Sequence, residues 1–382
     1  MFVCGPTVYD FCHIGHARTY IAFDVIAKYL RFKGYQLFFL INITDVAEKL
    51  IERSKERGMN FLELSRAYEK YFFEDLKSLR VESVDAFARA SDHISEIIDQ
   101  ITKLIEKGFA YETETGVYFD VKKFPEYGLL SNQTPEEILL RPLELCSTKR
   151  HPRDFSLWRK TDEEPKWDSP WGFGRPGWHI EDTAIAMKFL GSQYDLHGGA
   201  VELIFPHHEA EIAQGEALTG KKPYVRYWLH TGLLKIDGRK MSKSLENIIC
   251  IKDILKSYDY KALRFYFLSK HYRQIINFSM AELRRSKEEL QLFIKSIDNF
   301  SNLPITSRPS NNSTLIMDLE RLETIFINSM DDDFKTPKAL NAILEMASML
   351  DNFALHHKEI AKSTKTKSLG IIRRLADILG IF

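Results

Sequence analysis

Apolar residues recur along this chain in distinct rhythms, and each rhythm predicts a different kind of element. Phe2-Val3-Cys4-Gly5 is a short unbroken apolar run closed by a Pro6-Thr7 turn, the pattern of a buried strand at its end. From His16 to Phe32 the positions Tyr20, Phe23, Ile26, Ala27 and Leu30 return at helical spacing, and Gly34 is the natural stop. Gln36–Ile43 is again a continuous apolar run bounded by polar residues, which predicts a second buried strand. Strand, helix and strand at this spacing make a βαβ unit and therefore a parallel sheet.

Residues 46–108 read as successive helices, with Gly58 and Gly108 as stops and Asn60 as an N-cap. Tyr111–Val121 has a short hairpin pattern around Thr115-Gly116, and Pro and Gly thicken between Lys149 and Gly177 into a loop-rich stretch. Sheet-like pattern resumes at Tyr194–Phe205 and at Tyr227–Ile236, with the helical run His207–Leu218 between them. Beyond Asp253 the pattern is helical almost to the end, with one polar break at Asn302–Ser313. The expected fold class is α/β: a parallel-sheet domain split by an insertion, followed by a C-terminal helical bundle.

Composition narrows this only a little. A chain of 382 residues with a 44% hydrophobic share holds two or three domains with a full core. The 53 basic and 53 acidic residues cancel, so the total gives no hint of an anionic partner, although a local basic face can hide inside a neutral sum. No apolar run reaches the length of a membrane span, and residues 1–15 lack a signal-peptide pattern, so no membrane partner is expected. Cys4, Cys12, Cys146 and Cys250 are too few and too scattered for a disulfide framework. A cytoplasmic protein is expected.

Two strings carry chemistry. His13-Ile14-Gly15-His16 opens the first helix directly after a strand, so both imidazoles face the same way and Gly15 leaves the space over the turn empty. A helix N-terminus adds roughly half a positive charge toward an anion, and imidazoles there donate to phosphate oxygens without being permanently charged. The same string also reads as a plain helix cap. Lys240-Met241-Ser242-Lys243-Ser244 follows a strand and the Gly238-Arg239 turn, and two mobile ammonium groups there suit a departing pyrophosphate. The bland reading is a solvated basic loop. Found together in this order, the two strings point to adenylate formation at a carboxylate.

The pair is similar to the two signature motifs of class I aminoacyl-tRNA synthetases. Phe2-Val3-Cys4-Gly5-Pro6-Thr7-Val8-Tyr9-Asp10, Asn42-Ile43-Thr44-Asp45, Arg175-Pro176-Gly177-Trp178-His179-Ile180-Glu181 and Phe205-Pro206-His207-His208-Glu209 closely resemble the cysteinyl-tRNA synthetase family. The resemblance covers the chain from Met1 to about Phe382 and implies a Rossmann-like catalytic domain, a connective insertion and a tRNA-binding helical bundle. Its boundaries are expected at residues 1–110 and 178–252 for the two catalytic halves, 111–177 for the insertion, 253–300 for a stem-contact region and 301–382 for the bundle. Implied partners are L-cysteine, its tRNA and ATP with Mg²⁺, in a monomer. The resemblance also implies a segment before Met1 and an anticodon-reading module after Phe382.

Catalysis is expected from His13, His16, Lys240 and Lys243. ATP is expected on Thr7, His13, Gly15, His16, Gly198, Glu202 and Lys243, and cysteine on Gly5, Thr44 and Trp178, the last as a lid. Read from the residues, His207 and Glu211 stand four apart on a predicted helix, Cys4 ends a strand and Asp182 opens another helix. A sulfur, an imidazole and two carboxylates make a plausible zinc shell, while the bland reading is a buried core cysteine and a helix-surface pair. The resemblance implies one Zn²⁺ on Cys4, Asp182, His207 and Glu211, because shape alone separates cysteine from serine by only about 1–3 kcal/mol. Zinc prefers sulfur to a hydroxyl.

The chain departs from the family's pattern at two places. Asp182 stands where a second cysteine is usual, a hard ligand for a soft one, so zinc is expected to bind more weakly. Gly198-Gly199-Ala200-Val201-Glu202 stands where a third glycine, then serine and aspartate, are usual. His230 reads as an adenine contact or a structural residue, and Lys270, Arg273, Arg284, Arg285 and Lys287 as tRNA-phosphate contacts or solvated charges. Two alternatives to tRNA charging are a cysteine ligase acting on a small amine, as in mycothiol synthesis, and a tRNA-binding paralogue with impaired catalysis.

Overall fold

A computed structural model describes residues 1–133, 147–241, 247–306 and 313–382. The chain forms two compact units that interleave in sequence: residues 1–12, 38–74 and 84–230 make the first, and residues 13–37, 75–83 and 231–382 the second.

The first unit is built on a sheet of β1 (Phe2–Val3), β2 (Leu40–Ile43), β3 (Ala86–Arg89), β8 (Tyr194–Ala200) and β9 (Val225–Thr231), numbered in chain order. Its spatial order is β3-β2-β1-β8-β9, and β1 pairs parallel with β2 on one side and β8 on the other. Phe2 and Val3 face Leu40 and Ile41 across one ladder and His197 and Gly198 across the other. Both β1 and β2 are buried along their whole length, which is why they appear in the sequence as unbroken apolar runs rather than alternation. The strand order reverses between β1 and β8, and in open parallel sheets the crevice at the carboxyl ends of such a pair is where ligands bind. Cys4 leaves β1 at that end, its amide donating to Gly198 O at 3.0 Å.

A second sheet in this unit is antiparallel, in the order β4 (Ala110–Glu112), β5 (Gly116–Phe119), β6 (Phe155–Lys160) and β7 (Gly174–Pro176). Phe119 and Phe155 stack at 4.9 Å in its core, which Ile97, Ile101 and Leu104 of α4 (Ile94–Glu106) complete. The helices α2 (Glu48–Arg57), α5 (Ile180–Leu190) and α6 (Glu209–Thr219) also belong here, and Gly58 closes α2 in the left-handed conformation. Asn60 caps α3 (Phe61–Ser78) by accepting from the Leu62 amide at 2.8 Å.

The pattern of the chain and the structure differ in several places, among them the stretch Tyr194–Phe205, whose strand ends at Ala200, and the C-terminal helical stretch, which holds a strand at Ile276–Phe278. The second strand begins only at Leu40, and Tyr35 and Phe38 before it are exposed. β3 lies inside the stretch read as helices, because Ala-Phe-Ala-Arg offers no β-branched residue and leaves Phe87 exposed. The loop-rich stretch 149–177 holds β6 and β7, whose buried Phe155, Leu157 and Trp158 are masked by the surrounding Pro and Gly.

The second unit contains α1 (Ile14–Phe32), a small sheet of β10 (Leu234–Ile236), β11 (Arg239–Lys240) and β12 (Ile276–Phe278), the short helical turn Ile251–Ile254 and the longer helices of the C-terminal half. These are α7 (Tyr260–Leu268), α8 (Met280–Ser301), α9 (Ser313–Asp331), α10 (Thr336–His356) and α11 (Lys362–Leu379). A fully buried ion pair ties it together: Arg264 donates to Asp24 Oδ2 at 2.7 Å and to the carbonyls of Leu79, Arg80 and Leu379. Asp24 also accepts from Ser83 Oγ at 2.7 Å and from the amides of Glu82 and Ser83. Burial alone raises the Asp24 pKa, but Arg264 and Lys28 outweigh it and hold the carboxyl below its ordinary value. Among the described residues no helix is long and apolar enough to cross a membrane.

Candidate functional site

In the first unit, four elements deliver side chains to one buried point. Cys4 follows β1, Asp182 lies in the first turn of α5, and Glu211 lies in the first turn of α6. His207 precedes α6 in a wider turn over Ile204–His208, with Phe205 in an extended conformation, so the regular helix begins two residues after it. The four are between 0% and 7% exposed, and their donor atoms lie within 4.8 Å of one another. Cys4 Sγ stands 3.4 Å from Asp182 Oδ2, which is 3.1 Å from His207 Nε2, which is 3.1 Å from Glu211 Oε1. Edges of roughly 3.3–3.7 Å are what a tetrahedron with zinc–nitrogen and zinc–sulfur bonds requires.

The chemistry of the donors fits a cation. Both Glu211 carboxylate oxygens are buried and, despite their closeness to imidazole nitrogens, make no hydrogen bond of proper geometry. Burial, reinforced by Asp182 and Glu181, raises the Glu211 carboxyl well above its ordinary value; burial, then Glu211, Asp182 and Glu181, raise the Cys4 thiol. A divalent ion among these groups would reverse both shifts. Asp182 is fixed on its other side, where Asn42 Nδ2 donates to Oδ1 at 2.7 Å.

Around this cluster stand residues to which the sequence reading gave no part in it. His179 Nδ1 meets His207 Nδ1 at 2.9 Å, His197 Nε2 and His208 Nε2 approach Cys4 Sγ at 3.4 and 3.2 Å, and His230 Nε2 meets His208 Nδ1 at 2.8 Å. His179, His197 and His208 are fully buried, and burial first, then neighbouring imidazoles, depress their proton affinity well below that of a free histidine. The clue in the sequence was the density of histidine itself, at 179, 197, 207, 208 and 230. Cys4, His197, His208 and Glu211 form a second set of donor atoms within 4.8 Å.

Trp178, 44% exposed, stacks on the His207 ring at 4.5 Å. Thr44 is buried and donates to Glu181 Oε1 at 2.8 Å, and its backbone bridges to Thr7. Gly5 admits no side chain, because a Cβ there would fall 1.6 Å from Asn42 O, and its amide donates to Asn42 Oδ1 at 2.6 Å. Gly198 lies on β8, and Glu202 is exposed in the turn after it.

In the second unit, His13 and His16 form the start of α1 as a capping box built from imidazoles. His13 Nδ1 accepts from the Gly15 amide at 3.2 Å, and His16 Nδ1 accepts from the His13 amide at 3.2 Å. Their rings stack at 3.9 Å. Because both Nδ1 atoms accept, the proton of each neutral ring belongs on Nε2, which is left as the donor. Burial, then His13, depresses the proton affinity of His16, so this ring is neutral at neutral pH. A Cβ on Gly15 would come 2.9 Å from the His13 ring and 3.1 Å from Met241 Cε, so in this structure those two side chains fill the space over the turn. Ile14 N donates to Ile249 O at 3.0 Å and His13 bridges to Cys250, which holds the chain after the lysine loop against the start of α1. Lys240 is exposed at the end of β11, past the Asp237-Gly238 turn, whose residues both have positive φ. Ser242, Lys243 and Ser244 lie outside the described residues.

Of the basic residues beyond the lysine loop, Arg273 is engaged with Asp333 at 2.7 and 2.9 Å, and Lys270 stands 3.9 Å from Glu282. Arg284 and Lys287 border an open hollow with Ser257, Tyr258, Glu288 and Gln291.

Residues 1–288 match the family described as tRNA synthetases class I (C) catalytic domain, and residues 325–382 match the DALR domain. The chain is 42% identical to the cysteine–tRNA ligase of Thermococcus onnurineus, covering 100% of this chain and 82% of that protein. It is 46% identical to the cysteine–tRNA ligase of Thermoplasma volcanium, covering 96% and 80% respectively. Among solved structures, Mycobacterium tuberculosis methionyl-tRNA synthetase bound by methionyl-adenylate superposes with a TM-score of 0.71 at 17% identity, over 100% of this chain and 90% of that one. The ternary complex of Agrobacterium radiobacter K84 agnB2 LeuRS with tRNA and LeuAMS gives a TM-score of 0.73 at 11% identity, over 100% and 83%. At these identities the two structures speak for the fold.

Proposed function

The chain belongs to the cysteine–tRNA ligase family of class I synthetases, and from that premise we propose how its residues divide the work of ATP-dependent ligation of L-cysteine to its tRNA. The observation that carries this division is the buried thiol, imidazole and carboxylate cluster of Cys4, Asp182, His207 and Glu211 at the switch point of the parallel sheet. Those four residues hold a zinc ion, which when bound supplies a Lewis acid that prefers the thiolate of cysteine to the hydroxyl of serine. Gly5 keeps the floor of the crevice open, Thr44 fixes Glu181 beneath it, and Trp178 covers the substrate side chain from the solvent side.

A carboxylate oxygen of cysteine attacks the α-phosphorus of Mg-ATP, the bond to the β-phosphate oxygen breaks, and pyrophosphate leaves. The attacking carboxylate is already ionised, so no side-chain base takes a proton. His13 and His16 donate from Nε2 to phosphate oxygens, and the N-terminus of α1 adds its own partial charge. Lys240 and Lys243 stabilise the charge that develops on pyrophosphate, a contribution typically worth 10²–10³ in rate for one such donor. Thr7, Gly15, Gly198 and Glu202 are the further residues we assign to ATP. A ribose hydroxyl at the tRNA 3′ end then attacks the carbonyl of the cysteinyl adenylate and AMP leaves. The cytoplasm, where ATP and tRNA meet, is the proposed place of action.

Cysteine-dependent exchange between ATP and pyrophosphate tests the first step. Exchange with cysteine and little with serine or alanine is expected, and equal exchange with serine would overturn the proposed role of the cluster. Charging of transcribed tRNA with labelled cysteine tests the second step.

A further inference from the structure

The sulfur of Cys4 has more neighbours than the four-donor cluster accounts for. Besides Asp182 Oδ2, it meets His208 Nε2 at 3.2 Å and His197 Nε2 at 3.4 Å. Each of these imidazoles is gripped on its far nitrogen. Tyr194 Oη stands 2.6 Å from His197 Nδ1, and His230 Nε2 stands 2.8 Å from His208 Nδ1. The rings are also fixed in plane. Trp228 stacks on His197 at 4.4 Å, packs against His208 at 4.9 Å with its ring tilted by 37°, and lies parallel to His230 within 3°. Behind His208, the backbone of Gly199 lies so close that a Cβ would fall 3.0 Å from the imidazole Cε1. All of these side chains belong to the first unit.

We propose that His197 and His208 are positioning residues that each donate an Nε2–H to the Cys4 sulfur and so hold it as the single thiolate of the metal cluster. This rests on the reading that the cluster binds a metal ion. The proposal places the protons accordingly: Tyr194 O–H donates to His197 Nδ1, which also stands 3.4 Å from Glu211 Oε2, and His230 Nε2–H donates to His208 Nδ1, so that each Nε2 is protonated and aimed at sulfur. Charge-assisted hydrogen bonds of this kind are roughly twice as strong as neutral ones. They matter more in this chain because Asp182 supplies the charge of a second donor without a second sulfur. The one thiolate therefore lies among the carboxylates of Asp182, Glu181 and Glu211, and two N–H donors spread its charge. Outer groups that orient metal ligands typically govern affinity by 10- to 100-fold. The competing arrangement has His197 and His208 as ligands themselves, since their atoms also group with Cys4 and Glu211.

Cobalt loading of the whole protein separates these arrangements without an activity measurement. Hydrogen bonds to a thiolate lower the energy of its lone pairs, so removing one shifts the sulfur-to-cobalt charge-transfer band to lower energy. His208→Phe and His197→Phe are each expected to red-shift the band and to weaken zinc 10- to 100-fold in chelator competition. His208→Gln, which can place an N–H where Nε2 stood, is expected to restore most of the band position. Should the phenylalanine variants fail to fold, Tyr194→Phe and His230→Gln act one bond further out, and Tyr194→Phe is expected to give a smaller red shift. X-ray absorption on zinc-loaded protein counts the donors, and the nitrogen count should be the same in parent and His208→Gln. An unmoved band, or a nitrogen count that falls in the His208 variant, overturns the proposal while leaving the metal reading intact. A parent protein that binds neither zinc nor cobalt overturns the metal reading and this inference with it.

Discussion

Cys4, Asp182, His207 and Glu211 come from four elements spread over some two hundred residues, and they are held by side-chain contacts to one another and to Asn42 and the surrounding histidines. His13, Gly15 and His16 come from a single turn, and a capping box over four residues fixes both rings. The first arrangement depends on the sheet register, since β1 and β8 must pair as they do for Cys4 to meet His197. The second depends on helix geometry alone. A distributed site therefore tolerates no loss of a partner, whereas a local site fails only when its own helix moves or its own donors are removed.

The largest expected effect probes what holds that helix. Replacing Arg264 by Met removes the buried guanidinium and leaves Asp24 only Lys28 and the Glu82 and Ser83 donors, and breaking a buried pair costs up to about 3–5 kcal/mol. Urea unfolding measures it; a loss within about 0.5 kcal/mol would mean that the cap alone anchors α1. Next comes Lys240→Ala, expected to lower cysteine-dependent exchange by about 10²–10³ with zinc content unchanged, because it removes a charge donor and touches no metal ligand. Glu211→Gln should do the reverse: zinc affinity falls by at least about 10- to 100-fold and the KM for cysteine rises, while the KM for ATP stays. A parallel rise in both constants would erase the distinction between the two sites.

The smallest effect is in pH dependence. His16 binds a proton less readily in the fold than the ordinary 6.5 of a free imidazole, through burial and His13. The unfolded chain then takes up the proton first, so the stability from this group is full above that value and falls as pH drops below it. The slope is at most about 1.4 kcal/mol per pH unit. His16→Gln keeps an acceptor at the third position of the capping box without a titrating ring. Its unfolding midpoint should fall less steeply between about pH 7 and pH 5.5 than that of the parent.

The same contrast explains what could be read from the residues alone. His13-Ile14-Gly15-His16 declares itself because its chemistry and its fold occupy one turn, and the cap reading and the phosphate reading describe the same hydrogen bonds. The helices with glycine stops were legible for the same reason, as the left-handed Gly58 after α2 illustrates. β3 was not, since four residues of middling propensity become a strand only when β2 is beside them. Cys4, Asp182 and Glu211 were recognisable as a set through the family resemblance, and His207 and Glu211 also through their spacing. His179, His197 and His208 were missed, and His230 was left between an adenine contact and a structural role, because nothing in their spacing tells which of them will face sulfur; that is decided by the β1–β8 register and by Trp228.

The Asp24–Arg264 pair also bears on the order in which the protein takes shape. Its partners lie 240 residues apart, and Arg264 further binds the carbonyl of Leu379, 115 residues later still. During synthesis α1 leaves the ribosome before α7 and α11, yet the charge buried on it waits for both of those segments. Residues 13–37 of the second unit are thus made before what secures them, so a chain interrupted before Arg264 leaves on α1 an aspartate matched within its helix only by Lys28. Such a fragment is suited to capture by a chaperone or a protease, and synthesis of the segment that carries Arg264 is what releases it.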